Sequence, residues 1–200
     1  MRNQIRNLIL ASASKTRSDI LSNAGVDFTV QVSNTDESII KQKLKSKKPE
    51  EIAIKLATEK ARKISKSDKE ALVIGADQIL ECDGILFNKP LNKDDVISHL
   101  EFLSGKTHRL ISAICVVQNN KKIWDLTDDV NLTMRSLSDS FIQSYVENAG
   151  TGIYSSVGGY RLEDFGAQLF TRVEGDFFTV LGLPLLPLLD FLRSKQIIKT

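Results

Sequence analysis

The sequence predicts an α/β fold carried on a mixed β-sheet, and three observations point there. In the first half, short apolar runs rich in β-branched residues alternate with stretches of helical periodicity. In the middle, two long strand-like runs, Leu110 to Val117 and Lys121 to Met134, flank Asn119-Asn120, a dipeptide suited to a tight hairpin turn. The first pattern calls for parallel strands with crossover helices and the second for antiparallel neighbours, so a mixed sheet accommodates both. The third observation is length: 200 residues allow one sizeable domain, or two closely joined lobes, with a substantial core.

The elements follow in order. Leu8-Ile9-Leu10-Ala11 reads as the first strand. Thr16 to Ala24 reads as a helix that Gly25 ends at a C′ position. Phe28-Thr29-Val30 starts a second strand. Pro49 opens a clear helix, with Glu50 and Glu51 in the first turn where the dipole favours anions. Along it Ile52, Leu56 and Ile64 recur at helical spacing, with Ala53, Ala57 and Ala61 beside them. Ala71-Leu72-Val73-Ile74 reads as a buried strand that Gly75 stops abruptly. A short piece around Ile85-Leu86 and a helix from Asp94 to Leu103 come next. Beyond the hairpin, Ser138 to Glu147 reads as a helix with a serine N-cap, Gly150 to Gly159 as a glycine-dense loop, and Phe165 to Val173 as a strand. A Leu-rich helix after Gly182-Leu183-Pro184 closes the chain. No repeat, low-complexity tract or linker divides it, so residues 1–200 are expected to form a single domain.

Composition excludes several function classes. Net charge is +2, from 27 basic and 25 acidic residues, which gives no electrostatic footprint for duplex nucleic acid. The basic start, Met1 to Arg6, leads into only a few apolar residues, so no signal peptide is expected. The longest apolar stretch, Val180 to Leu189, is broken by Pro184 and Pro187 and falls well short of a membrane span. Cys82 and Cys115 lack pair spacing and read as reduced core thiols. A soluble cytoplasmic protein is expected. The run Lys41, Lys43, Lys45, Lys47, Lys48 reads as a solvated surface, and His99 and His108 show no metal-ligand spacing.

Chemistry concentrates around Gly75-Ala76-Asp77-Gln78. In α/β sheets ligands bind beyond the carboxyl ends of strands, so Asp77 either points into a site or closes a turn. Lys89-Pro90 fixes a cation on extended backbone, because the residue before proline is pushed out of the helical region. The turn Ala11-Ser12-Ala13-Ser14-Lys15-Thr16-Arg17 combines small residues, a helix N-terminus and a guanidinium fork, a pattern for phosphate or for a capped helix with a solvated arginine. Lys60 falls in the apolar row between Leu56 and Ile64, where it either snorkels to solvent or meets a buried anion. Glu37 lies on a polar loop, Thr35-Asp36-Glu37-Ser38, as a solvated cap or as a metal ligand shared with Asp77.

These pieces fall in an order that resembles one family. Leu10-Ala11-Ser12-Ala13-Ser14-x-x-Arg17, Asp36-Glu37, Thr58-Glu59-Lys60-Ala61, Gly75-Ala76-Asp77, Lys89-Pro90, Leu103-Ser104-Gly105-x-x-His108 and Gly182-Leu183-Pro184 resemble, in sequence, the Maf-type nucleoside triphosphate pyrophosphatases, from about Leu8 to Leu192. The resemblance implies a two-lobed single domain of the α/β class, with an extended mixed sheet flanked by helices and a cleft between lobes. It implies cleavage of a triphosphate to the monophosphate and pyrophosphate with a divalent metal, Mg²⁺ or Mn²⁺. Carried over by position, Asp77 is the general base and a metal partner, and Glu37 assists the metal. Arg17, Lys60 and Lys89 hold the triphosphate, with a phosphate contact from Ser12. One acid amid several cations should stay ionised.

Departures from the common pattern concern the base. Thr16 stands where common members have arginine, Gln78 where they have threonine, and Glu163 lies in Tyr160-Arg161-Leu162-Glu163-Asp164-Phe165-Gly166, where they have a glutamine turn. Gln78 and Glu163 resemble the branch acting on 7-methyl-GTP. An acceptor-only carboxylate suits the N–H donors of guanine's pairing edge, and N7-methylation adds a positive charge that Glu163 favours. That branch usually has a bulky aromatic at position 16, and Thr16 is the candidate there. Two other readings are a UTP or dTTP pyrophosphatase and a nucleotide-binding regulator of septum formation and cell division without turnover. The partners expected are the triphosphate substrate and a second copy of the chain in a homodimer.

Overall fold

The first strand, β1 (Leu8–Leu10), is buried along its whole length and lies parallel to β2 (Thr29–Val30) and to β3 (Leu72–Cys82). Its last residue, Leu10, stands beside Val30 on one side and Ile74 on the other. A computed structural model describes residues 7–44 and 46–199; the basic N-terminal stretch and Lys45 lie outside them. Among the described residues the sheet has seven strands, six of them in the order β2-β1-β3-β5-β6-β7, with β5 at Thr107–Gln118, β6 at Lys121–Met134 and β7 at Phe170–Glu174. The remaining strand, β4 (Ile85–Phe87), pairs antiparallel with β3, and β7 pairs antiparallel with β6. The mixed α/β sheet is therefore as the sequence predicts. The β5–β6 turn has φ 46° at Asn119 and 60° at Asn120, the left-handed pair that a two-residue hairpin requires.

Among the described residues seven α-helices accompany the sheet: α1 (Lys15–Asn23), α2 (Glu37–Lys43), α3 (Pro49–Ser65), α4 (Lys93–Leu103), α5 (Asp139–Asn148), α6 (Phe177–Val180) and α7 (Leu185–Ser194). Caps explain their starts. Ser14, Asp36, Asn92, Ser138 and Asp176 each accept a backbone N–H from the first turn of the helix that follows. None of these helices is long and apolar enough to cross a membrane.

Three expectations need correction. Gly75 does not stop the strand, since β3 continues through Asp77 and Gln78 to Cys82. Its glycine serves close packing: a Cβ there would lie 2.1 Å from the Ala57 carbonyl oxygen and 2.9 Å from the Ala61 methyl. Glu37 is not on a loop but opens α2, which Asp36 caps through the amides of Ser38 and Ile39. Phe165–Leu169 is a 3-10 turn, and the strand begins only at Phe170. Gly166 sits against the Arg161 backbone, where a Cβ would be 2.3 Å from the carbonyl oxygen, so the chain doubles back and cannot extend.

The chain divides into two compact units. One holds the residues up to Asp77, with Ser112–Asp128 and the stretch from Gly182 onward; the other holds Gln78–Ile111 and Asp129–Leu181. The core of the first is formed by Ile9, Leu10, Leu21, Ile52, Leu56, Leu72 and Ile74, all essentially inaccessible. Burying each such side chain contributes roughly 1.5–3 kcal/mol. The second unit closes around Leu80, Val96, Leu100, Leu132 and Tyr145, with His108, Tyr160 and Phe170 in mutual ring contact. The boundary passes between Asp77 and Gln78.

Candidate active site

Close packing of α3 on β3 builds the site. Ala57 and Ala61 face Gly75 without intervening side chains, and the small-on-small contact draws the helix against the strand. Lys60, on the same helix, is only 13% exposed at its side chain. Its ammonium does meet a buried anion, donating to Asp77 Oδ1 at 2.5 Å, and it also pairs with Glu37 Oε1 at 2.7 Å. Asp77 is buried, at 7% side-chain exposure, whereas Glu37 is 42% exposed. Two carboxylates from different elements thus converge on one cation.

The strand-end logic survives in altered form. Asp77 is inside β3, yet its parallel neighbour β1 ends at Leu10, opposite Ile74, three residues earlier. Ala11 still donates to the Ile74 carbonyl, and the chain then turns into α1. Asp77 therefore lies beyond the carboxyl end of the parallel pair, where α/β sheets place ligands. The turn and α1 fill the space beside it. Arg17 donates Nη1 to the Ala76 carbonyl at 3.0 Å and to Ser12 Oγ at 3.3 Å, and Nε to the Gly182 carbonyl at 2.8 Å. Ser12 is buried, and its hydroxyl also accepts the Ser14 amide. The Gly182 carbonyl as an anchor for Arg17 was not foreseen; the Gly182-Leu183-Pro184 motif carried that signal without a stated role.

Electrostatics at the cluster are set by burial first. Desolvation pushes the Asp77 carboxyl above the ordinary aspartate value, against the pull of Lys60, with Glu37 adding to the rise and Arg17 opposing it. Its environment is thus less favourable to the charged form than cations alone would make it, contrary to the simple expectation. Burial likewise lowers the Arg17 guanidinium, and Asp77 and Glu37 resist that shift.

The fit of a divalent metal follows from the donor set. Glu37 and Asp77 offer hard oxygens directed at one cation, which suits Mg²⁺ or Mn²⁺; Mg²⁺ characteristically takes one or two carboxylates and completes its shell with water and substrate phosphates. Among the described residues no group of three or more His, Cys, Asp or Glu side chains is placed to hold a metal. The arrangement fits an ion shared with phosphates and does not fit an all-protein cage.

The other candidates are placed by contacts of their own. Thr16 is on the first turn of α1, half-buried. Gln78 donates Nε2 to the carbonyls of Thr179 at 3.1 Å and Val180 at 2.9 Å, at the end of α6. Lys89 is exposed in the connection between β4 and α4, followed by buried Pro90. Glu163 Oε1 accepts from Arg161 Nε at 3.1 Å and Nη2 at 3.0 Å, while Arg161 Nη1 pairs with Asp164 at 2.9 Å. Ser12, Arg17, Glu37, Lys60 and Asp77 belong to the first unit and are joined by direct bonds or charge; Gln78, Lys89 and Glu163 belong to the second. Asp36, which the sequence offers only as half of the Asp36-Glu37 motif, has the further role of capping α2 and fixing its start.

Fold and cluster together define an α/β protein that gathers acids and cations beyond the end of a parallel strand pair. Residues 7–195 match the family described as Maf-like protein. The chain is 46% identical over 189 residues to the nucleoside triphosphate pyrophosphatase of Paramagnetospirillum magneticum (strain ATCC 700264 / AMB-1), covering 94% of this chain and 97% of that protein. It is 46% identical over 191 residues to the protein of the same name from Nitrobacter hamburgensis (strain DSM 10229 / NCIMB 13809 / X14), covering 96% and 95%. It is 43% identical over 191 residues to the 7-methyl-GTP pyrophosphatase of Bartonella quintana (strain Toulouse), covering 96% of each. The chain belongs to the Maf-like protein family.

Proposed function

We propose that this chain is a nucleoside triphosphate pyrophosphatase that cleaves its substrate to the monophosphate and pyrophosphate. The observation that carries the reading is the Glu37–Lys60–Asp77 cluster with Arg17 bound to the neighbouring Ala76 carbonyl, in a chain 46% identical to proteins of that name. Asp77, buried beside two cations and raised by desolvation, orients the attacking water and takes its proton. Glu37 and Asp77 would hold a divalent metal, which when bound neutralises phosphate charge and polarises the phosphoryl group. Lys60 then turns from the two acids to the triphosphate, where Arg17, Lys89 and Ser12 also bind; charge developing at the α-phosphorus needs this density of cations. Gln78, Thr16 and Glu163 face the base in this reading.

Substrate preference follows from Glu163. Its carboxylate matches guanine's donor edge, and the Bartonella quintana relative is named for 7-methyl-GTP. We therefore place modified guanine triphosphates first. The same reading locates the enzyme in the cytoplasm, removing non-standard nucleotides before polymerases meet them. Its test is pyrophosphate release with Mg²⁺ or Mn²⁺ over a panel of 7-methyl-GTP, GTP, UTP and dTTP. Highest kcat/KM on 7-methyl-GTP is expected. Preference for UTP or dTTP would remove the guanine assignment, and no turnover of any triphosphate would remove the activity.

A further inference from the structure

We propose that Lys63 is a positioning residue for Glu37, holding the turn that carries it while Lys60 serves the substrate; the kinetic part of this rests on the pyrophosphatase reading above. The need arises from α2 itself. No residue of α2 is buried, and Ile39 is 48% exposed, so apolar burial does little to fix the helix that bears Glu37. A cavity of about 620 Å³ lies alongside, with Thr35, Asp36 and Ile40 contributing one part of its wall and Arg62 and Lys63 of α3, with Lys66 just past its end, another. Packing is thus replaced by space over part of the α2–α3 boundary.

Two lysines of α3 bridge that boundary. Residues three apart on a helix share a face. Lys60 reaches Glu37 Oε1 at 2.7 Å, and Lys63 donates Nζ to the Asn34 carbonyl oxygen at 2.6 Å. Asn34 has φ 45°, a left-handed conformation that turns the chain from β2 toward the Asp36 cap. Thr35 Oγ1 donates to Ser33 Oγ at 3.1 Å, and Ser33 is buried, so the turn has a fixed foot. The difference between the tethers lies in what competes for them. Triphosphate and metal both draw on the Lys60–Glu37–Asp77 cluster, and recruitment of Lys60 to phosphate loosens its hold on Glu37. Lys63 grips a backbone carbonyl that no substrate group replaces. Glu37 therefore keeps its place when Lys60 leaves it.

The experiment compares wild type, Lys63→Met and Lys63→Arg by amide hydrogen exchange without nucleotide, and by pyrophosphate release with and without Glu37→Gln. Losing a solvent-exposed hydrogen bond from a charged group shifts a local equilibrium by roughly two- to fivefold, so exchange at residues 36–40 should rise by about that factor in Lys63→Met. Lys63→Arg, which can still donate to the carbonyl, should restore protection, and β3 amides should be unchanged in both. Lys63→Met should lower kcat with little change in triphosphate KM, and should add nothing in the Glu37→Gln background. Unchanged exchange at 36–40, or kinetic losses that add to those of Glu37→Gln, would overturn the proposal. Absence of turnover by wild type would remove the activity reading, and the exchange result would then decide the tether by itself.

Discussion

Replacing Lys60 by methionine keeps the length of the side chain and removes the cation between two acids. The loss should come almost wholly from Asp77, because Glu37 is nearly half exposed and its arm of the pair is screened to well under about 1 kcal/mol. Asp77 is only 7% exposed and Lys60 13%, and breaking a buried pair from one side costs about 3–5 kcal/mol. Arg17 remains near Asp77, so a figure of about 3 kcal/mol at pH 8, the lower end of that range, is expected. The pH dependence gives the sharper signature. Burial already raises the Asp77 carboxyl, and without Lys60 it rises further. An acid raised on folding holds a proton in the folded state that the unfolded chain releases, so stability falls as pH climbs from the ordinary aspartate value through the raised one. The deficit of Lys60→Met relative to wild type should therefore be small at pH 4.5 and full at pH 8. Urea unfolding at both pH values measures it, with about 3 kcal/mol appearing as a midpoint shift of roughly 1.5 M for a slope near 2 kcal/mol/M. A deficit that is equal at the two pH values, or below about 1 kcal/mol at pH 8, would refute the assignment of Lys60 as the counter-ion of a buried Asp77.

Other expectations are separable from this one. Gly75→Ala drives a methyl group into the Ala57 carbonyl and should cost roughly 3 kcal/mol by urea unfolding; a change under about 0.5 kcal/mol would mean that α3 is free to move off β3. His108 is inaccessible, its Nε2 2.6 Å from Tyr160 Oη, and burial pulls its pKa down to about 4. The folded state thus refuses a proton that the unfolded chain accepts, so stability falls as pH drops from about 6.5 to 4; wild type should lose about 3 kcal/mol more than His108→Phe across that range, and equal losses would contradict this. Glu163→Gln should lower the ratio of kcat/KM for 7-methyl-GTP over UTP roughly tenfold with little effect on folding, since its pair with Arg161 is near the surface. An unaltered ratio would remove Glu163 from base recognition.

Much of the architecture was legible because it rests on local patterns. The Asn119-Asn120 hairpin, the Pro49 helix and its apolar row are properties of short windows, and the structure places each where periodicity put it. Gly75 was misread for a physical reason: glycine ends strands and also permits close approach, and only the position of Ala57 and Ala61 distinguishes the two. The 3-10 turn before Phe170 likewise depends on Gly166 meeting the Arg161 backbone, a contact set by the fold of the turn. At the site, Lys60 could be singled out as a cation in an apolar row, but which acids it meets is a tertiary fact. That Arg17 spends three donors on Ser12 and two carbonyls was invisible, since backbone acceptors leave no mark in a sequence.

The central claim is that Asp77 is the reacting acid of a triphosphate pyrophosphatase. Asparagine at that position can still accept from Lys60, so folding stability of Asp77→Asn should change by less than about 1 kcal/mol at pH 7.5. Pyrophosphate release from the preferred triphosphate, measured for wild type and Asp77→Asn under saturating Mg²⁺ or Mn²⁺, tests the claim most directly. A folded variant with kcat reduced by roughly 10³-fold or more is predicted. A folded variant with unchanged kcat would contradict the account.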